Sequence, residues 1–198
     1  MEEQARVVQA DSVVGFEHNV QTVLTLHLAR HSFQIYVLQP GLAAGLTVAA
    51  FDAIEACLGS PEAFEAIFGV VLADRGVEFD NWAGMERSCL VEGARRCRVY
   101  YCDPMRSDQK AEAEKNHEEL RRVLPKGRSD FDALDRADVA AVCSHVNSYP
   151  RPARQGKCPF DLAAPELPAE LLGNLGIVRV PPDEVLLRPA LVAHAVEL

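Results

Sequence analysis

Between residues 6 and 38 the apolar positions fall into three strand-like runs separated by short polar links. RVVQADSVV (6–14) alternates, with Val7, Gln9, Asp11 and Val13 on one side and Val8, Ala10, Ser12 and Val14 on the other. In TVLTLHLA (22–29), Leu24, Leu26 and Leu28 share a side, the pattern of a half-buried strand. SFQIYVL (32–38) is rich in aromatic and β-branched residues. The links FEHNVQ and ARH are short enough for an antiparallel meander of three. From Ala44 the period lengthens: Leu46, Ala50, Ile54 and Leu58 predict one face of a helix over 44–58. Ser60-Pro61 is a cap followed by an N1 proline and starts a second helix, to about Phe68. GVVLA (69–73) reads as a short buried strand with Asp74 at its end. A polar stretch runs to Arg96, and CRVYYC (97–102) is a fifth strand. Asp108 to Arg122 has neither Gly nor Pro and predicts a charged helix, stopped by Pro125-Lys126-Gly127. Asp138 to Ser148 predicts another helix, closed by Tyr149-Pro150; beyond it the chain is Pro-rich, with one short helix near Glu170–Gly173 and an extended tail.

The order is three hairpin-linked strands, helices, two further strands and two helices. It implies an α/β architecture with a mixed five-stranded sheet flanked by helices, the strand order of the ribonuclease H-like fold. Residues 1–165 form the expected core and 166–198 a Pro-rich C-terminal extension.

Composition narrows the functional classes. At 198 residues and 48% hydrophobic, the chain can bury one good core. No apolar run approaches bilayer length, and MEEQARVVQ has neither a basic n-region nor an apolar h-region, so a soluble, unexported, cytoplasmic protein without membrane partners is expected. The six cysteines form no C-x-x-C pair; they read as reduced packing residues rather than a zinc site or a disulfide framework. A net charge of −9 argues against strong autonomous affinity for duplex DNA. Three basic clusters remain: Arg95, Arg96 and Arg98; Arg121, Arg122, Lys126 and Arg128; Arg151, Arg154 and Lys157. Each also reads as solvated surface.

Three carboxylates stand out. Asp11 lies on the face of Val7 and Val13, Asp74 ends a buried strand, and Glu114 shares a helix side with Lys110, His117 and Arg121. Each alone reads equally as a strand-edge, turn or exposed helical acid. In a ribonuclease H-like sheet, however, the first strand, the fourth strand and the following helix meet at one edge. Two unit charges about 4 Å apart repel by roughly 4 kcal/mol at an effective dielectric of about 20. Three acids gathered there call for a divalent cation, and all-oxygen ligands select Mg²⁺ or Mn²⁺.

The same segments resemble the DDE transposases with an integrase catalytic core, specifically the insertion-sequence group called IS-thirty. The resemblance runs from about Val7 to Pro189. VQADSVVG is similar to that family's Trp-Glu-x-Asp-x-hydrophobic-x-Gly strand, and VLADRGVEF to its Thr-Asp-Asn-Gly-x-Glu-Phe. YYCDPMRSDQKAEAEKNHEELRRVLPKG resembles the segment that carries the third acid and ends in Leu-Pro-Lys-Gly. HVNSYPRPARQGKCPFDL resembles its closing Asn-x-(Tyr/Arg)-Pro-Arg element, with Cys158 in a Thr/Ser place. The resemblance implies Asp11, Asp74 and Glu114 as the catalytic, metal-binding triad and Glu78 as an accessory acid. It implies two metal ions, with Asp11 bridging, and cleavage and joining of DNA strands by phosphoryl transfer without a covalent enzyme intermediate. Lys110, His117 and Arg121 are the expected DNA contacts near the scissile bond, while Glu112, Glu118 and Glu119 are expected to be solvent-facing. The implied partners are DNA, as transposon ends and target, and further copies of the chain; in a bacterium it would associate with the nucleoid when bound to DNA.

The chain departs from that pattern in several places. It enters the first strand within about ten residues of Met1, too few for the family's helix-turn-helix region. Arg75 replaces the Asn after the second acid, Ala111 replaces a Gly, and Val8 and Gln9 stand in the places of Trp and Glu. Two alternatives therefore stay open: a truncated, inactive remnant acting as an interaction or regulatory partner, and a stand-alone ribonuclease H-like nuclease.

Overall fold

A computed structural model describes residues 7–102 and 111–197; side chains at 111–116 and at 153 lie outside that description. Five strands, β1 (Val7–Val14), β2 (Thr22–Leu28), β3 (Phe33–Gln39), β4 (Val70–Ala73) and β5 (Arg98–Tyr101), form one sheet in the order β3-β2-β1-β4-β5. β1 pairs antiparallel with β2 and parallel with β4; β2–β3 is antiparallel and β4–β5 parallel. This is the mixed five-stranded sheet expected. Its crossovers carry α1 (Ala44–Leu58), α2 (Pro61–Phe68) and α3 (Trp82–Glu86), followed by α4 (Ala111–Val123), α5 (Arg136–Ser148), α6 (Pro159–Ala163) and α7 (Ala169–Asn174). Among the described residues no helix is long and apolar enough to cross a membrane.

Local chemistry explains most boundaries. α1 stops where Gly59 turns left-handed (φ 81°) and returns its N–H to the Glu55 carbonyl. α2 starts at Ser60, whose hydroxyl accepts from the Ala63 N–H, with Pro61 at N1. α5 begins earlier than the apolar pattern predicts, because Asp135 and Asp138 form a reciprocal capping box. Asp138 is thus the third residue of the helix rather than its start.

Every residue of β2 is buried, where a half-buried strand was expected. The strand lies inside the sheet, and both its faces are covered. Cross-strand register sorts the side chains into two layers. Gln9, His27 and Gln34 lie in one row, and Asp11, Thr25 and Tyr36 in the next row on the same face. The opposite face carries Val8, Ala10, Leu24, Leu26, Phe33 and Ile35, which join Phe51, Ile54, Phe64 and Phe68 in the core.

On the polar face, α5 also protects the edge strand. The Asn147 amide accepts from Gln34 N–H at 2.9 Å and donates to the Gln34 carbonyl at 2.7 Å, as a neighbouring strand would. Cys143 adds a thiol donor to the same carbonyl. Asn147→Leu leaves the buried Gln34 N–H without its acceptor and is expected to cost about 2 kcal/mol, read as a lower urea midpoint at unchanged slope.

Two stretches differ from expectation. The polar segment before β5 contains a 3-10 turn (Val77–Phe79) and α3, and buries Phe79, Met85 and Arg96. The Pro-rich tail is not merely extended: α6, α7 and a 3-10 segment (Pro189–Ala195) place Leu171, Ile177, Val192 and Val196 in the main core. The Asp130 N–H donates to the Ala195 carbonyl and the Glu197 N–H to the Arg128 carbonyl, tying the tail beside the end of α4.

Candidate active site

β1 and β4 run parallel with Val7 opposite Val70, Val8 opposite Val71 and Gln9 opposite Leu72. Asp11, two residues past the last β1 residue paired with β4, and Asp74, just past the end of β4, therefore stand toward the same end of these parallel strands. Asp74 stands where β4 ends, and its Oδ1 accepts from the Gly76 N–H at 2.9 Å, an Asx turn. A Cβ at Gly76 would lie 3.0 Å from Asp74 Oδ1 and closer still to the Glu78 carboxylate. The two acids therefore flank the one residue that has no side chain. Glu78 is buried in the 3-10 turn, which Tyr101 holds by donating its hydroxyl to the Phe79 carbonyl at 2.5 Å.

Asp11 is held from three directions. Its Oδ1 accepts from the Ser12 N–H at 2.9 Å, and its carbonyl accepts from the Thr25 hydroxyl at 3.2 Å. Its Oδ2 lies 3.7 Å from His117 Nδ1. His117 Nε2 is 3.1 Å from the same Thr25 hydroxyl. The imidazole of His117 thus lies between the Thr25 hydroxyl and the Asp11 carboxylate. α4 is thereby docked over Asp11. Sequence reasoning passed over Thr25, whose only signal was a polar residue in an apolar strand.

Glu114 lies on α4 one turn before His117; its side chain, like all of Lys110, is outside the described residues. The far half of α4 is anchored by Leu120, Val123 and Leu124, all buried. Arg121 donates to the Val14 carbonyl at 3.0 Å and to the Leu124 carbonyl at 3.3 Å, so its guanidinium binds the end of β1 and its own helix. Glu119 is a correction. It is 9% exposed rather than solvent-facing, because Arg151 ion-pairs with it while Arg122 approaches its other oxygen at 3.3 Å. Both arginines also lie over the Tyr149 ring. The Tyr-Pro-Arg of the closing motif, residues 149–151, thus braces α4, and its Asn147 braces β3.

Burial pushes the neighbouring His27 down to about 4, with the charges of His117, Arg151 and Arg154 adding to the effect. The unfolded chain binds that proton near 6.5, so the contribution is complete above pH 6.5 and is lost as the pH falls towards 4. Its size is about 3 kcal/mol. His27→Gln is expected to flatten this part of the stability curve; chemical denaturation between pH 7 and pH 4 compares the two chains.

The acids of this edge offer only hard oxygen donors, which suits Mg²⁺ or Mn²⁺ and not Zn²⁺. Among the described residues, a different set brings three possible ligand atoms within 4.8 Å of one another: Asp52, Glu55 and Cys89. That set already has its cation. Arg96 Nη1 lies 2.6 Å from Asp52 and 3.0 Å from Glu55, and Ser88 Oγ and Cys89 N–H donate to Glu55.

No family model matches the chain. The transposase for insertion sequence element IS1086 of Cupriavidus metallidurans is 29% identical over 86 residues, which are 43% of this chain and 25% of that protein. A chain of the simian T-cell lymphotropic virus intasome, in complex with PP2A regulatory subunit B56 gamma, superimposes with a TM-score of 0.60 at 15% identity. The match covers 90% of this chain and 59% of that one. The catalytic core of BIV integrase gives 0.53 at 13% identity, over 81% of this chain and 95% of that one. The HTLV-2 integrase catalytic core, in complex with magnesium, gives 0.51 at 12%, over 79% and 95%. The sheet order, the helices around it and these likenesses agree: the chain has the ribonuclease H-like fold of an integrase catalytic core.

Proposed function

We propose that this chain is the catalytic domain of a DDE transposase of the IS-thirty group, cutting and joining DNA strands with two Mg²⁺ or Mn²⁺ ions. The observation that carries the reading is the parallel pairing of β1 with β4, which puts Asp11 and Asp74 toward one end of the sheet, with His117 of α4 3.7 Å from the Asp11 carboxylate. The partial match to a transposase and the integrase-core fold support it.

In this reading Asp11, Asp74 and Glu114 would hold the metals. When bound, two divalent ions supply activation of the attacking oxygen and charge stabilisation of the leaving oxygen. The chain's own work is placement. Thr25 and His117 orient Asp11, the Gly76 turn orients Asp74, and α4 brings Glu114, braced by Arg151 on Glu119. Glu78, beside Gly76, adds negative charge that favours a cation at this edge. Lys110 and His117 would meet the DNA strand near the cut, with Arg121 securing the helix behind them. DNA and further copies of the chain are the partners proposed, in a cytoplasmic setting. Residues 1–165 would form the catalytic unit, with 166–198 as the extension buttressing it.

The test is a labelled DNA duplex incubated with the chain and Mn²⁺, resolved for both nicked and joined strands. Nicking with joining is the expected result. Nicking alone would point to a nuclease, and neither product to a non-catalytic partner of a longer transposase.

A further inference from the structure

The C-terminal extension is strapped to α5 by side chains of that helix that accept hydrogen bonds from its backbone. The Ser144 hydroxyl accepts from the Val178 N–H at 3.0 Å while donating to the Ala140 carbonyl, and the Ser148 hydroxyl accepts from the Val180 N–H at 2.9 Å. Further along the tail, His145 Nδ1 accepts from the Leu186 N–H at 2.9 Å. At the far end, His194 Nε2 lies 3.1 Å from an Asp138 carboxylate oxygen, and the Ala195 carbonyl accepts from the Asp130 N–H. Residues 181–188, between these anchors, form a loop in which none is fully buried. His145 is its hydrogen-bonded hold on α5.

The anchors differ in their response to acid. The two serine hydroxyls do not titrate, and the Asp138 carboxylate accepts from the His194 ring whether or not that ring is charged. The His145 bond is another matter. An amide N–H only donates, so Nδ1 must carry a free lone pair, and the proton of the neutral ring sits on Nε2. A second proton goes to Nδ1 and sets two N–H groups against each other. Burial pushes the ring below its ordinary 6.5, against the pull of the Glu184 carboxylate. Asp183 and Arg188 belong to the same loop. Of the elements packed on α5, β3 brings no charged side chain, Glu119 of α4 is paired with Arg151 and Arg122, Asp161 of α6 with Arg179, and His194 with Asp138.

We propose that residues 181–188 form an acid-released latch: neutral His145 holds the loop on α5, and protonation of its Nδ1 frees the loop while the anchors at Val178, Val180 and His194 stay closed. The hold is complete above 6.5, where the unfolded ring is neutral too, and is lost as the pH falls through the lower folded value. The loop leads into the 3-10 segment Pro189–Ala195, which packs on α4, so the latch is joined to the helix that carries Glu114. It requires neither metal nor DNA, and it stands or falls apart from the function proposed above.

Amide exchange, followed by NMR on the isotope-labelled chain at pH 7 and pH 5, tests the latch. Protection of the Leu186 amide, corrected for the intrinsic exchange rate, is expected to fall by about tenfold per pH unit below 6.5, the weight of one proton. The His145 ring shifts should move over the same range, while Val178 and Val180 stay protected. His145→Asn puts an amide oxygen that does not titrate near the place of Nδ1 and should keep Leu186 protected at both pH values. His27→Gln removes the other acid-sensitive histidine and should leave the fall intact. Constant Leu186 protection in the wild type, the same fall in His145→Asn, or a fall shared equally by Val178 and Val180 would overturn the latch.

Discussion

Arg96→Ala is expected to destabilise the chain by about 3–5 kcal/mol, the cost of leaving buried charge without its partner. Arg96 is fully buried, and its Nη1 bridges Asp52 and Glu55. Its Nε donates to the Met85 carbonyl at 2.8 Å and its Nη2 to the Gly84 carbonyl at 3.1 Å. The guanidinium also lies over the rings of Phe51 and Phe64, 5.6 and 5.4 Å from their centroids. One side chain thus joins α1, α2, α3 and the start of β5. Glu55 is wholly buried as well. Burial alone would raise its pKa, yet the hydrogen bonds from Ser88, Cys89 and Arg96 outweigh that and hold the carboxyl below its ordinary range. Because this carboxyl is depressed in the folded chain, its contribution is present above the unfolded value and is lost as the pH falls through the folded one. Without Arg96 the burial effect gains on the hydrogen bonds, and the carboxyl takes up a proton more readily. The gap between wild type and Arg96→Ala should therefore be wider at pH 8 than at pH 5. Urea denaturation at both values measures it, and an equal gap at the two would dismiss the ionised pair as its cause. Arg96→Lys keeps the charge but loses the fork, and should fall between.

Asp74→Asn is expected to abolish Mn²⁺-dependent nicking while leaving a cooperative fold. An amide oxygen can still accept from the Gly76 N–H, so the turn survives. What disappears is one negative charge beside the Gly76 turn that Glu78 also flanks. Without divalent ions the variant should be at least as stable as the wild type, since like charges at this edge repel. The two chains should part when Mn²⁺ is added. A ligand present at about a hundred times its Kd stabilises the fold it binds by about 2.7 kcal/mol, a rise in melting temperature that the wild type should show and Asp74→Asn should lose. Glu114→Gln should lose it too. Retained nicking in Asp74→Asn would sink the three-acid assignment.

The elements held together by short-range chemistry were legible before any coordinates. β1, β3, α1 and α2 lie within a residue of their expected limits, because alternation, fourfold spacing, the Ser60 cap and Gly59 act between neighbours. α5 starts two residues before the expected Asp138 because Asp135, three residues earlier, caps it and is capped by it in return. The segment from Arg75 to Arg96 looked polar because its charges belong to partners outside it: Arg96 answers Asp52 and Glu55 on α1. The same error of reading charge as solvation was made at Glu119, whose partner Arg151 arrives from another part of the chain.

For the candidate site, residue types alone left Asp11, Asp74 and Glu114 readable as ordinary strand-edge, turn and helical acids; the resemblance to the DDE transposases is what implies them as a triad. The sequence by itself determined the mixed sheet, the helices and the acids to watch. Tertiary structure alone decided that β2 is buried on both faces, that β1 and β4 pair in parallel, and that Thr25 and His117 lie against Asp11. It also decided that Arg96 and Glu119 are internal ion-pair partners rather than surface charge. The physical reason is one of range. Periodicity and capping are set by residues within a turn or two of each other, whereas register, burial and charge pairing are settled between segments that meet only once the chain has folded.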